Sequence, residues 1–131
     1  MIEESLGKMV SIKSIFPNEK KFAMYMAELL KKNGFKVSAQ KFGVRRYNIF
    51  AERGKGKSAF LFYGHLDTVP IYGKWETNPL KLTKKGDKYY GLGSSDMKGG
   101  IAAALEATKL CKKRRIKILL CSDEENISEG A

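Results

Sequence analysis

The chain has 131 residues, 43% hydrophobic and 30% charged, so it is long enough for one folded domain and too apolar for a disordered segment. Its formal net charge of +11 would suit a nucleic-acid-binding protein, but the basic residues are dispersed and form one tight run at 112–115. Aromatic residues do not alternate with that run, which argues against nucleic acid as a partner and favours a lysine-rich solvated surface.

Two amphipathic helices open the chain. Apolar residues among positions 2–10 recur at helical spacing and share one face. Pro17 separates this segment from a second helix, for which Asn18 is the expected N-cap and the pair Asn33-Gly34 the expected C-terminal cap. The first quarter of the chain is therefore predicted to be helical.

The rest of the chain alternates between strands and helices. We expect the strand at 59–63 and the last strand at 116–121 to be buried, because both consist largely of apolar residues. A helix that begins soon after Asp96 lies between them, and strand, helix and strand in this order imply a right-handed crossover. The other predicted elements are strands at 35–42 and 47–51, a loop at 70–78 and a hairpin at 80–90. The expected fold class is α/β, with a mixed, partly parallel sheet flanked by helices.

Two glycine-rich segments resemble nucleotide-binding loops but fail in detail. Residues 54–58 have the tail of a phosphate loop, but Ala51 stands where its first glycine belongs, and the segment precedes a strand instead of following one. The segment Gly91-Leu92-Gly93 lacks the third glycine of a dinucleotide fingerprint, because Asp96 occupies that position. We therefore expect no nucleotide cofactor.

The cysteines and the apolar segments indicate the compartment. Cys111 and Cys121 do not form a Cys-x-x-Cys pattern, so we expect free thiols in a reducing environment. No apolar stretch has the length of a signal peptide core or a membrane span. The expectation is a cytoplasmic protein without a membrane partner.

A histidine and several carboxylates lie at the ends of predicted elements. His65 follows the strand at 59–63, Asp96 precedes a helix, and the pair Glu124-Glu125 follows the last strand. Because strand ends gather in one crevice of an open α/β sheet, these side chains can converge there. An imidazole and carboxylates suit zinc, and a carboxylate can bridge two ions. Each residue alone could be an ordinary surface or capping residue, but the group favours a metal site.

Two supporting roles follow from the local spacing. Asp67, two residues after His65, is placed to accept the second ring N–H and so to fix the tautomer and orientation of the imidazole. Of Glu124 and Glu125, one is expected to face the metal. The other would then be free as a general base that takes a proton from water and delivers it to a leaving amine.

Taken in order, these motifs resemble those of the di-zinc aminoacylase and carboxypeptidase family, which includes acetylornithine deacetylase, succinyl-diaminopimelate desuccinylase and glutamate carboxypeptidase. The resemblance covers nearly the whole chain and is carried by three segments at suitable intervals, Gly64-His65-Leu66-Asp67-Thr68-Val69-Pro70, Gly91-Leu92-Gly93-Ser94-Ser95-Asp96-Met97-Lys98-Gly99-Gly100 and Asp123-Glu124-Glu125. Residues between the first two segments also match the usual spacing, namely Trp75, Pro79 and Tyr89-Tyr90-Gly91.

The resemblance assigns a role to each site residue. It implies that His65 is a ligand of one zinc, that Asp96 bridges both zincs, and that Glu125 is a ligand of the other. It further implies that Glu124 is the general base and that Asp67 steadies the ligand histidine.

The resemblance has two further consequences for the segment around Asp96. Family members often have a cis peptide after the bridging aspartate, here between Asp96 and Met97. Leu92 stands where arginine is common between two glycines, which leaves the metal chemistry intact but removes any contact that such an arginine makes.

The activity implied is hydrolysis of an amide bond next to a free carboxylate, in an N-acyl amino acid or a small peptide, through a water held by two zinc ions. Cobalt or manganese could replace zinc, and deacetylase, desuccinylase and dipeptidase activities stay open. The alternative is a non-catalytic basic binding or scaffold protein with the same fold.

The extent of the family's own fold sets a further expectation. Family members complete the site with a further Asp or Glu and a histidine near the C-terminus, and carry an inserted lid or dimerisation domain. We therefore expect residues 1–131 to be the N-terminal portion of a zinc-hydrolase catalytic domain, incomplete and with negligible activity alone. The full-length form could be a homodimer.

Overall fold

The computed structural model describes residues 1–130 of the chain. Its helices and strands follow in the order α1 Ile2–Ser11, α2 Lys20–Lys32, β1 Lys36–Phe42, β2 Arg46–Arg53, β3 Phe60–His65, β4 Thr83–Lys85, β5 Lys88–Tyr90, α3 Lys98–Leu110 and β6 Ile116–Cys121. Four strands form one sheet in the order β1-β2-β6-β3, and β4 pairs with β5 in a separate hairpin. Within residues 1–130, no helix has the length and apolar character needed to cross a membrane.

The main sheet is mixed, as the sequence predicts. β1 pairs antiparallel with β2, and β2 pairs antiparallel with β6. β3 and β6 pair in parallel, and the chain between them contains β4, β5 and α3. The predicted fold class, an α/β fold with a partly parallel sheet and helices, is therefore confirmed.

The strand that carries the histidine is at the edge of this sheet, and the prediction that it is buried is wrong. Phe60 and Leu61 are 69% and 54% exposed, and Tyr63 is exposed as well. Only β6 pairs with this strand within residues 1–130. A run of apolar residues looks the same in a central strand and in an edge strand, so the sequence pattern could not separate the two.

One hydrophobic core joins the helices to the sheet. In α2, the residues Phe22, Met26 and Leu30 recur at helical spacing and are fully buried. They belong to one core cluster that also includes Met9, Ala23, Ala27, Phe35, Ile49, Ala51, Leu66, Ile101, Ala102, Leu105, Ile116, Ile118 and Leu120. Burying each large apolar side chain contributes roughly 1.5–3 kcal/mol, so this cluster holds the three helices against the strands.

The beginning of α2 differs from the sequence prediction by one residue. Asn18 donates its backbone N–H to the carbonyl of Ile15 at 2.9 Å, so the chain is still turning there. The side-chain oxygen of Asn18 accepts from Arg45 at 3.1 Å, and Glu19 takes the N-cap position without a side-chain capping bond. The end of the helix is as predicted, with Asn33 as C-cap.

Both cysteines are free thiols, as the sequence predicts. Cys111 is exposed at the end of α3, whereas Cys121 is buried as the last residue of β6.

Candidate metal centre

The parallel pairing of β3 and β6 brings the predicted site residues to one edge of the sheet. His65 and Cys121 face each other as the last residues of the two strands. The backbone N–H of Leu66 donates to the carbonyl of Cys121 at 2.7 Å, which extends the contact one residue beyond β3. Glu124 and Glu125 lie three and four residues after the end of β6, so the segments that leave the two strands lie side by side.

Three predicted ligands come together at this edge. One ligand atom from each of His65, Asp96 and Glu125 lies within 4.8 Å of the others, and residues 1–130 contain no other such group of three. Nε2 of His65 is 2.9 Å from Oδ1 of Asp96. The imidazole is buried, whereas the side chain of Asp96 is 73% exposed. The site thus has a fixed nitrogen donor on the protein side and a carboxylate that reaches it from the solvent side.

Asp67 lies against the imidazole, where the sequence predicts it. The contact is made by its backbone oxygen, whereas the prediction was the carboxylate. Nδ1 of His65 lies 3.0 Å from the backbone oxygen of Asp67 and 3.6 Å from its carboxylate. Burial by itself lowers the pKa of His65, but hydrogen bonding to Asp67 and Asp96 raises it to about 9. With Nδ1 held by the carbonyl, Nε2 points toward Asp96 and is the nitrogen available to a metal.

The carboxylate of Asp67 organises the segment after β6. Its two oxygens accept the backbone N–H groups of Glu124 at 3.1 Å and Glu125 at 2.8 Å. Burial raises the pKa of Asp67, but hydrogen bonding to His65 and to these two amides outweighs it and holds the pKa below its usual value. Charge-assisted hydrogen bonds of this kind are short and strong. Asp67 therefore connects the histidine segment to the glutamate segment.

The two glutamates occupy different places around the imidazole. Glu125 belongs to the group of three ligands, whereas Oε2 of Glu124 lies 3.9 Å from Nε2 of His65 and its side chain is partly exposed. Burial and the neighbouring Asp96 carboxylate raise the pKa of Glu125. The three carboxylates on the Nε2 side of the imidazole, those of Asp96, Glu124 and Glu125, therefore repel one another, and a divalent cation would relieve this repulsion.

The donor chemistry fits a divalent metal. One imidazole nitrogen and carboxylate oxygens are ligands that zinc accepts, and the neighbouring carbonyl at Nδ1 is the outer contact typical of metal-binding histidines. The peptide bond between Asp96 and Met97 is cis, as the family resemblance implies. His65, Asp96 and Glu125 are the residues that could hold the ion.

Three charged residues near the site were not singled out from the sequence. Glu19 is fully buried, and its burial raises the pKa of its carboxyl to about 7. Arg46 lies over the ring of Phe42 at 5.0 Å and is 3.7 Å from the carboxylate of Asp123. Local sequence contains no signal for these two, because their surroundings come from distant segments.

Lys98 is the third, and the sequence did contain a signal for it. The residue is 2% exposed, and burial lowers its pKa to about 8. It precedes Ile101 by three residues and Leu105 by seven, which places it on the buried face of α3. Extending the helical pattern backward by one turn would have found it.

The chain belongs to peptidase family M20/M25/M40, whose family model matches residues 61–131. The matched segment contains His65, Asp67, Asp96, Glu124 and Glu125. The family predicted from the motifs is therefore confirmed.

Named relatives agree with this membership. The chain is 39% identical over 103 residues to the acetylornithine deacetylase of Vibrio vulnificus, covering 75% of this chain and 27% of the relative. It is 38% identical over 111 residues to the succinyl-diaminopimelate desuccinylase of Orientia tsutsugamushi, covering 82% of this chain and 29% of the relative. The solved structure of human carnosine dipeptidase 1 matches with a TM-score of 0.81 at 26% identity, covering 91% of this chain and 31% of that one. The chain thus spans less than a third of the length of each relative.

Proposed function

We propose that residues 1–131 form the N-terminal portion of the catalytic domain of a metal-dependent hydrolase that cleaves an amide bond in an N-acyl amino acid or a small peptide. The convergence of His65, Asp96 and Glu125 at one end of the sheet carries this proposal. The names of the relatives support the substrate class, because a deacetylase, a desuccinylase and a dipeptidase each cleave an amide bond.

The metal ligands in this proposal are the three residues of the group. His65 contributes Nε2, and the backbone oxygen of Asp67 holds the ring in the orientation that this requires. Asp96 has two carboxylate oxygens and is exposed toward solvent, so it can bridge two ions. Zinc, with cobalt or manganese as alternatives, supplies a Lewis acid that lowers the pKa of a bound water and polarises the substrate carbonyl.

Glu124 is the proposed general base. Its carboxylate lies 3.9 Å from Nε2 of His65 and is partly exposed, so a water in the site is within its reach. It would take the proton of that water and later donate it to the nitrogen of the leaving amine. The hydrogen bond from its backbone N–H to Asp67 fixes the position from which the side chain extends.

We further propose that the 131-residue chain alone has negligible hydrolytic activity. A catalytic zinc takes about three protein ligands and one water. Residues 1–130 contribute three ligand residues in one group, which is too few to give each of two ions a full set. Positioning of the substrate also contributes to the rate, and a two-ion site with incomplete ligands cannot supply it.

Metal binding by the isolated chain tests the proposal. We expect Zn²⁺ or Co²⁺ to bind with a stoichiometry below two tightly held ions, and His65→Ala and Asp96→Asn to abolish that binding. Glu28→Gln, which changes an exposed carboxylate of α2, is the matched control and should bind metal like the unchanged chain.

Two tightly bound ions with rapid hydrolysis of N-acyl amino acids would refute the inactivity of the isolated chain. Metal binding that survives Asp96→Asn would refute the ligand set. Steeply salt-dependent binding of nucleic acid without metal binding would instead favour a basic binding protein.

A further inference from the structure

A buried lysine near the site has no part in the chemistry proposed above. Lys98 is 2% exposed and is the first residue of α3, two residues after Asp96. Burying an ammonium group is costly unless it is well paired. Within residues 1–130, however, no carboxylate lies within ion-pair distance of it.

The ammonium of Lys98 binds the end of α1 instead. Nζ donates to the backbone oxygen of Met9 at 3.0 Å and to that of Ile12 at 2.7 Å. Ile12 is the C-cap of α1, where the last carbonyls carry partial negative charge, and the Met9 carbonyl also accepts the backbone N–H of Ile12 at 3.2 Å. The ring of Phe22 lies 4.5 Å from Nζ and adds a cation–π contact. The side chain thus connects α3 to α1 and α2 through the core.

The backbone of the same residue closes the loop that carries Asp96. The N–H of Lys98 donates to the carbonyl of Gly93 at 2.8 Å. Gly93 has a φ of +72°, and a Cβ there would lie 2.5 Å from Cγ2 of Thr68 and 3.5 Å from Cδ of Lys98. The loop therefore packs directly against the segment that follows His65, with the Lys98 side chain beside it.

The position of the Asp96 carboxylate depends on this loop. Within residues 1–130, its hydrogen bond to Nε2 of His65 is the only one that the side chain makes. Otherwise the loop is tied to β3 by the backbone N–H of His65, which donates to Sδ of Met97 at 3.2 Å. Asp96 thus lies between two anchors, the Met97 thioether and the buried Lys98.

We propose that Lys98 is a positioning residue for the metal site: by binding the C-terminal carbonyls of α1, its ammonium fixes the loop at 93–98 and so holds the Asp96 carboxylate against His65. The effect of Lys98 on metal binding rests on the proposed function, because it requires a metal at this site. The effect of Lys98 on the position of Asp96 in the metal-free chain does not depend on that function.

Lys98→Met separates positioning from general stabilisation. Methionine keeps a long unbranched side chain but removes the three N–H donors. Leu105→Ala is the control, because it weakens packing on the same buried face of α3, away from the loop. Lys98→Gln retains N–H donors on a shorter side chain and should give an intermediate result. All chains are compared at one concentration of trimethylamine N-oxide, which favours the compact state of the weakest variant.

The metal-free measurement uses the imidazole ¹⁵N resonances, which are unambiguous because the chain has a single histidine. We expect Lys98→Met to shift the Nε2 resonance of His65 and to speed hydrogen exchange of the Lys98 amide by about tenfold or more relative to the amides of β6. Leu105→Ala should leave the Nε2 resonance at its original position. A folded Lys98→Met or Lys98→Gln chain with unchanged His65 resonances would overturn the proposal, and so would an equal shift in Leu105→Ala.

A titration with Co²⁺ then tests the consequence for the site. Loss of a group that hydrogen-bonds a metal ligand weakens metal binding by about 10–100-fold. Lys98 acts through the loop and not on a ligand directly, so we expect a loss at the lower end of that range, about tenfold, for Lys98→Met and none for Leu105→Ala. If the unchanged chain binds Co²⁺ and Lys98→Met binds it equally well, the positioning role is refuted and the metal site stands. If the unchanged chain binds no Co²⁺, the proposed metal centre fails, and the ¹⁵N measurement alone decides the role of Lys98.

Discussion

The two ends of β3 differ in how their side chains are covered. At its start, Phe60 and Leu61 are apolar and yet exposed, whereas Gly64 and His65 at its end are buried. At the His65 end, Nδ1 of the ring contacts the Asp67 carbonyl, the Asp67 carboxylate accepts backbone N–H groups from the turn after β6, and the Met97 side chain packs against Gly64. In this strand, contacts made by other segments, and not the apolar composition of the strand itself, distinguish the buried end from the exposed end.

The comparison is tested most severely at Asp67. Asp67→Ala removes the acceptor of two backbone N–H groups in a buried place, and we expect the free energy of unfolding to fall by about 3 kcal/mol. Metal binding should be lost with it, because Glu124 and Glu125 lose their anchor. Urea denaturation measures the first effect, and Asp87→Ala in the exposed β4–β5 turn is the control. A loss equal to that of the control would mean that the network does not maintain the His65 end.

The protonation of His65, at the buried end of β3, predicts how metal binding depends on pH. The pKa of metal-free His65 is raised to about 9, so a proton must leave the imidazole when a metal binds at neutral pH. Apparent affinity should therefore fall by about tenfold for each unit of pH below this value. Titration calorimetry with Co²⁺ at pH 6 and pH 8 measures the change. Equal affinity at the two pH values would mean that the imidazole is not a ligand.

Glu19 is a second buried polar group near the site, and its carboxyl group affects the stability of the fold. Its pKa is raised from 4.5 to about 7, chiefly by burial, and its two oxygens have no hydrogen-bond partner within residues 1–130. The folded state holds the proton of Glu19 more tightly than the unfolded state does. The stability that protonated Glu19 contributes is therefore present below pH 4.5 and is lost as pH rises through 7.

Glu19→Gln should remove this loss. At pH 8 we expect the variant to be more stable than the unchanged chain by roughly 3 kcal/mol, with the difference disappearing near pH 4. Thermal unfolding across this pH range measures it, and Glu28→Gln on the exposed face of α2 controls for the loss of one charge. A constant difference at all pH values would show that Glu19 does not titrate in this window.

The smallest effect on stability is expected at the other end of β3. Leu61→Lys places a charge on an exposed edge-strand residue, and we expect a change below about 0.5 kcal/mol in the free energy of unfolding. The same change should reduce self-association, because a lysine on an edge strand opposes pairing with another chain. Sedimentation at several concentrations measures this. A large loss of stability would show that the start of β3 is more buried than its exposure indicates.

The sequence predicted the parts of this molecule that depend on local pattern. Helical spacing predicted both N-terminal helices, and the strand–helix–strand order predicted the parallel pairing that brings His65 close to the segment of Glu125. It did not predict that β3 is an edge strand, because the apolar run contains no information about its neighbours. The buried Glu19 and the partly buried Arg46 were missed for a related reason, since distant segments create their surroundings.

The ligand set is the central claim of this account, and X-ray absorption of the zinc-loaded chain tests it most directly. The chain contains one histidine, and the free thiol of Cys121 is paired opposite it in the sheet, so the two alternatives have distinct spectra. We expect a first shell of oxygen and a single imidazole nitrogen at about 2.0–2.1 Å. A sulfur ligand at about 2.3 Å, or a shell without imidazole, would contradict the site built from His65, Asp96 and Glu125.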